Sequence, residues 1–521
     1  MDLITMFRSP VASCSALLGL VLAAGVASAA PNTVDYAVFF DSEVHDTEGC
    51  AMTINGQEVT IDKKFANPSM SCPDMFSWKL FADTVRQSWW ANWAADEQTW
   101  PAKPYGLCEG GKAGPNCCLP GSADNPSQHC PVFPGDVVSL TESTRQPRKL
   151  SKPIGAHAIS LGRGGLNLEM MAMPGKPGEP EPGRVLRQEV GEITVRNKDM
   201  FDYIFKNDLY NAQGIASVVE RNRKNLAEHA PYQANNPSGA LSRIDLPVSA
   251  IMIKSNWLYH DFAKEIGLKD DPAAPYIKKA MTTELNGKTY TGEHWLLAFH
   301  ISTKDTPQWV WTTFEHVNNP GRCDFSGCND AYGYASSDQH PGETMSNFTA
   351  PHVRNDGLQQ SSVIYDLGNT YPSGPISSEL SEIFKSAGIG TTQAGEEPMP
   401  ADKGWLSYRL KGSQVNFTNA MGRATRLGNS ITEGGFVTTS SCITCHARAS
   451  VAASGDSKKP LTVPLGVFLY DQLSEVGYGQ SAMGIPERSW YHGSGSRPSV
   501  RALQTDFMWG MPFFAQPVVA P

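Results

Sequence analysis

Thr289-Tyr290-Thr291-Gly292-Glu293-His294-Trp295-Leu296-Leu297-Ala298-Phe299-His300-Ile301-Ser302-Thr303 is the run on which the architecture turns. Trp295, Leu297, Phe299 and Ile301 occupy every second position, with His294 and His300 between them. Side chains of a strand alternate between faces, so this spacing predicts a two-faced β-strand. Residues 308–317 repeat the period, setting Trp309 and Trp311 against Val310, Phe314 and His316. Pro307 stands at the start of that segment, where its missing N–H does not interrupt a ladder. Upstream, residues 247–259 place Ile251, Ile253 and Trp257 on one face. Three strands of one sheet are expected.

Elsewhere the period is helical. Trp78, Phe81, Val85, Trp89 and Trp93 recur at three and four residues within 74–94. Such an aromatic stripe suits either a densely packed core helix or the wall of a cofactor pocket, and the core reading is adopted. Further helices are expected over 198–210, 213–229 and 378–387. A Pro/Gly-rich run at 173–183 reads as surface loop or linker. No internal repeat is evident.

The chain has 521 residues, 18% of them charged, with a formal net charge of −9. Its densest basic group, Arg221, Arg223 and Lys224, lies on an amphipathic helical pattern rather than in a basic stripe, which argues against a nucleic-acid partner. The first residues read as a signal peptide: Arg8 is the basic element, Ala16–Ala24 the apolar segment and Ala27-Ser28-Ala29 the cleavage site. The apolar segment is shorter than the ~20 residues of a membrane span. Cleavage is expected after Ala29, leaving an exported chain with no transmembrane anchor.

Eleven cysteines are present, one of them, Cys14, in the leader. Cys442 and Cys445 belong to Ser441-Cys442-Ile443-Thr444-Cys445-His446, a C-x-x-C-H sequence of the kind that attaches haem c. Two thiols three residues apart on a helical turn reach the two vinyl groups of one porphyrin edge, and the adjacent histidine meets the iron. With eleven Cys and twelve His in this length, chance occurrence is about 0.005. A redox C-x-x-C needs a strand leading into its first cysteine, and a zinc site needs a second ligand pair; neither pattern accompanies this motif. One covalent haem c is expected. The remaining eight cysteines, in an exported chain, predict up to four disulfides. Cys50–Cys72 and Cys323–Cys328 are the pairs expected from local closure. Cys108, Cys117, Cys118 and Cys130 are expected to staple a Gly/Pro-rich loop in an open connectivity.

His446 is the expected proximal iron ligand. The sixth position is left among Met511, Met483, His300 and an open site; Gly510-Met511-Pro512 has the Met-Pro step that presents sulfur in many small cytochromes c, and Met511 is the first choice. Arg448 is a candidate partner for a haem propionate, or a solvated surface residue. His294, His300, His316 and His260 fall in or beside the predicted sheet as candidates for a metal or distal role, or as structural histidines.

The chain resembles a family of large secreted bacterial single-haem cytochromes c. The resemblance is carried by Phe76-Ser77-Trp78-Lys79-Leu80-Phe81, Trp93, Asp96-Glu97-Gln98-Thr99-Trp100, Trp309-Val310-Trp311-Thr312-Thr313-Phe314-Glu315-His316 and the segment Ser441–Ala447. It implies covalent haem at Cys442 and Cys445, with His446 as ligand. The fold class expected is α+β: a signal peptide over 1–29, a large disulfide-containing mixed region with an antiparallel sheet over 30–395, and a mainly helical and loop haem-bearing region over 396–521. The leading function is one-electron transfer with a periplasmic redox protein or a small-molecule reductant or oxidant. A haem c enzyme of peroxidase or oxygenase type, with its pocket in the N-terminal region, is the alternative, and an envelope-ligand binding module the third.

Overall fold

The computed structural model describes residues 46, 49–56, 58–61, 64–136, 190–228, 243–265, 268–285, 288–319, 328, 330–333, 376–418, 425–433, 440–453, 484–486, 488–491 and 499–519. The expected leader lies outside them. The strands in chain order are β1 (Met52–Asn55), β2 (Glu58–Ile61), β3 (Ala94–Ala95), β4 (Val190–Arg196), β5 (Ile251–Tyr259), β6 (Lys278–Leu285), β7 (Lys288–Thr303), β8 (Val310–His316), β9 (Tyr408–Gln414), β10 (Ser450–Ala452) and β11 (Ala502–Gln504).

Seven of these form one sheet in the order β3-β4-β5-β7-β8-β9, with β6 paired to β7, and every pairing is antiparallel. β7 is the 16-residue axis of the sheet. Its first half pairs with β6, and its second half lies between β5 and β8. The three strands expected from period two are therefore adjacent: Ile253 stands opposite Ile301, and Phe299 opposite Phe314.

Those apolar residues pack against the helix Pro73–Arg86. The Phe81 ring lies 5.0 Å from Phe314, 5.7 Å from Phe299, 5.4 Å from Phe384 and 5.9 Å from Trp405, with Trp78 5.1 Å from Phe314. Phe384 comes from the helix Ser378–Ser386. The helix expected over 74–94 is interrupted: Ser88 takes a left-handed φ of 50°, and a separate turn, Trp89–Asn92, leads into β3. The kink keeps Trp89, Trp90 and Trp93 buried alongside Trp78. The aromatic stripe is core.

Beyond residue 395 most described residues lie in short helices, turns and loops, but the segment also contributes strands. β9 closes the large sheet by pairing with β8, and β10 pairs with β11. The helices Cys442–His446, Arg488–Tyr491 and Gly510–Phe514 are only four or five residues long. Strands on both sides of residue 395 thus share one sheet. The physical reason is the sheet itself: the chain returns after 395 to satisfy the open hydrogen-bonding edge of β8.

Cys50–Cys72, Cys108–Cys117 and Cys118–Cys130 are disulfides, and Cys328 is disulfide-bonded. Cys323, its expected partner, lies outside the described residues. Such bonds fit an oxidising compartment. Among the described residues no helix is long and apolar enough to cross a membrane.

Candidate functional site

The second face of the sheet is polar. Lys254 stands opposite His300, which stands opposite Thr313; Glu192 is opposite Asn256, Asn256 opposite Ala298, and Ala298 opposite Glu315. Directly paired residues share a face, so β4, β5, β7 and β8 together present carboxylates, an ammonium, an imidazole and amides. The segments 425–433 and 440–450 cover this face. Asn429 Nδ2 donates to Thr313 Oγ1 at 3.0 Å and approaches His300 Nε2 at 3.2 Å. Ser430 Oγ donates to Glu315, and Thr432 Oγ1 to Asn256 Oδ1. Glu433 Oε1 lies 3.3 Å from His300 Nε2, and its other oxygen accepts from Asn429 N at 2.7 Å.

The C-x-x-C-H sequence forms a single turn, Cys442–His446, over this face. Ser441 caps it by accepting from Thr444 N, and Gln414 of β9 accepts from Ile443 N at 2.9 Å. Cys442 and Cys445 are free thiols, whereas every other described cysteine is disulfide-bonded. The His446 ring lies over Trp311 of β8 at 4.4 Å, and its Nδ1 is 2.8 Å from the carbonyl oxygen of Phe507. A carbonyl only accepts, so the proton sits on Nδ1 and the lone pair on Nε2. No hydrogen bond reaches Nε2 among the described residues.

Electrostatics follow from depth. Burial pushes the His446 pKa down to about 4, assisted by Lys254 and His300, so the imidazole is neutral at physiological pH. Burial lifts the Cys445 thiol to about 12 and the Cys442 thiol well above its ordinary value, the latter with help from Glu433. Burial opposes the Lys254 ammonium, but Glu192 and Glu433 outweigh it and raise its pKa. Burial likewise opposes the Glu433 carboxylate, and His300 and Lys254 outweigh it and lower its pKa. Lys254 and Glu192, although set on inner strands, keep 28% and 18% of their side-chain surface accessible. Cys442, Cys445 and His446 are likewise only half-buried. The motif and part of the polar face thus remain partly accessible.

The donor set fits a covalent haem c. Two unoxidised thiols stand one turn apart, the adjacent imidazole is neutral with its Nε2 lone pair uncommitted, and a backbone carbonyl fixes the ring, the outer support common to metal-binding histidines. The thiols do not fit a redox C-x-x-C, in which the attacking cysteine has a depressed pKa. Among the described residues no group of three or more His, Cys, Asp or Glu side chains is arranged to hold a metal ion. A porphyrin supplies four of its own ligands and asks the protein for only one or two.

The other sequence candidates separate. His294 bonds Gly292 O at 2.9 Å and Thr283 Oγ1 at 3.0 Å, His260 bonds Glu293 O and pairs with Asp261, and His316 stacks on Tyr276 at 3.5 Å; these three are structural. Only His300 lies on the polar face beside the segment 425–433. Met511 is 1% exposed, in the core, in a short turn whose Gly510 packs tightly on Trp100. The chain reaches it from Phe507, on the Nδ1 edge of the His446 ring. Met483 lies outside the described residues. Arg448 is fully buried rather than solvated, donating to Thr444 O and Gly484 O and lying over Trp490. Sequence reasoning missed Glu192, Lys254, Trp311 and Glu433 as part of the site. Lys254 interrupts the apolar run Ile251-Met252-Ile253, which was the available signal.

No family model, curated protein or solved structure matches the chain.

Proposed function

We propose that this chain is an exported c-type cytochrome that binds one haem through Cys442 and Cys445, takes His446 as axial ligand, and passes single electrons between periplasmic partners. The observation that carries the reading is the His446 ring, locked by Phe507 with Nε2 uncommitted, beside two thiols left reduced in a chain whose other described cysteines are oxidised. When bound, the haem supplies a one-electron iron couple. The protein's part is to hold the imidazole neutral and oriented, to present two thiols, and to enclose the group beneath a charged sheet face.

Extraction tests this. After export in a host with haem c maturation, haem is expected to stay with the denatured chain under acidified acetone, and to be lost in the Cys442→Ala, Cys445→Ala double variant. Haem that extracts freely from the wild-type chain overturns the covalent assignment. The partly accessible Lys254 and Glu192 beside the motif favour the haem enzyme as second reading; rapid peroxide turnover by the wild-type protein would move the assignment to it.

A further inference from the structure

His300 resembles His446 in one respect that the other described histidines of the sheet do not share. One ring nitrogen is engaged and the other has nothing bonded to it, and in His300 that second nitrogen is buried. His300 Nδ1 has no hydrogen-bond partner, whereas Nε2 faces Glu433 Oε1 at 3.3 Å and Asn429 Nδ2 at 3.2 Å. Asn429 Nδ2 gives one of its two protons to Thr313 Oγ1, and its Oδ1 accepts from Ile431 N and Thr432 N, which fixes the amide orientation. Glu433 Oε1 needs a donor. In the tautomer that directs Nε2–H at this carboxylate, the stronger acceptor, Nδ1 carries a lone pair.

A buried imidazole lone pair without a donor is costly, on the order of 1–3 kcal/mol, unless something absent from the bare chain satisfies it. A carboxylate holding the remote N–H of an imidazole is the outer support of metal-ligating histidines. Position agrees. Ser302 stands opposite Trp311 and Thr313 opposite His300, so His300 and Trp311 are diagonal neighbours on one sheet face. Their Cβ atoms are about 7–8 Å apart by that relation. His446 packs on Trp311, so both imidazoles neighbour the same indole on one sheet face.

We propose that His300, through Nδ1, is the second axial ligand of the haem iron, with Glu433 as its positioning residue and Met511 confined to packing. This rests on the covalent haem proposed above and adds the ligand set. Two imidazoles set a lower reduction potential than an imidazole and a thioether. The site is then a low-potential electron carrier with no open coordination position for peroxide.

Absorption and paramagnetic resonance spectra of the exported wild-type protein, each sample first checked by intact mass for the haem adduct, test the ligand set. The wild type is expected to be six-coordinate and low-spin, without the weak far-red band of sulfur-to-iron charge transfer. His300→Ala is expected to keep the adduct, become high-spin, and return to low-spin on addition of imidazole. Glu433→Gln is expected to stay low-spin with its midpoint potential shifted upward, because a neutral amide withdraws the carboxylate's support. Met511→Ala should leave the spectrum unchanged. A sulfur band in the wild type, or an adduct-bearing His300→Ala protein that remains low-spin without imidazole, overturns the ligand assignment and leaves covalent haem standing. A wild type lacking the adduct overturns both.

Discussion

The two faces of the central sheet are made by alternate residues of the same strands, and they do opposite work. Phe299, Ile301 and Phe314 bury their side chains against Trp78, Phe81, Phe384 and Trp405, where shape and apolar area determine stability. One residue along, His300, Thr313 and Glu315 hold a network of charges and hydrogen bonds under the segments 425–433 and 440–450. Period two lets one strand serve as core and as site wall at once, with no loop between them. The cost is that the polar face is stable only while each of its groups has a partner.

Breaking each face gives different results. The largest expected loss is on the apolar side: Phe81→Ala removes a ring touching five aromatic neighbours and is expected to destabilise by ~3–5 kcal/mol in denaturant titration. It should leave haem stoichiometry in the surviving folded protein unchanged. A loss below about 1 kcal/mol would mean that this face is not the main core.

On the polar side, Glu315 is fully buried, lies 3.4 Å from Lys411 Nζ, and accepts from Ser430. Glu315→Ala removes the carboxylate that faces the Lys411 ammonium and accepts from Ser430 and is expected to cost ~3–5 kcal/mol, whereas Glu315→Ala with Lys411→Met should recover much of it, because the double variant buries neither charge. Equal losses in the single and double variants would show that the pair is not what holds the covering segment.

A smaller effect sharpens the contrast away from the site. Asp46 accepts from Asp74 N and Met75 N at the start of the helix Pro73–Arg86, Asp74 accepts from Ala331 N and Ser413 Oγ, and Asp330 accepts from Trp78 Nε1. Burial, reinforced by mutual repulsion, raises the pKa of Asp74 well above the usual range and that of Asp46 to about 7; burial raises Asp330 to about 6. Raised folded-state values mean that the folded chain holds more protons than the unfolded one, so this stabilisation is complete below the ordinary carboxylate range and is lost as pH rises toward 7. Each of the three raised carboxylates should contribute a slope on the order of 1 kcal/mol per pH unit between about pH 4 and its raised value, and Asp74→Asn should make the total shallower. A stability profile that rises across this window in the wild type and is unmoved by the substitution would contradict the arrangement.

Much of this was legible in the chain. Alternation over 289–303 and 308–317 located β7 and β8, and the apolar stripe located the helix beneath them. Cys50–Cys72 was readable from local closure. β4, β6 and β9 were not, because Lys278-Lys279, Glu192 and Arg409-Leu410-Lys411 break the apolar period with charges that find partners only in the folded sheet. The same property hid half of the site: Lys254 and Glu433 look like ordinary charged residues until the fold sets them beside one another and His300. Met511 drew attention through its Met-Pro step, a local pattern without information about which edge of the His446 ring the chain would approach. His300 was visible only as one of several strand histidines, and its unpaired Nδ1 is a tertiary fact.

The most direct test is the intact mass of the purified exported protein, followed by fragmentation of the peptide that contains Cys442–His446. The account predicts the cleaved chain plus one haem, with the added mass on that peptide alone. A chain of unmodified mass, or one whose Cys442 and Cys445 are joined to each other in a disulfide, would contradict it.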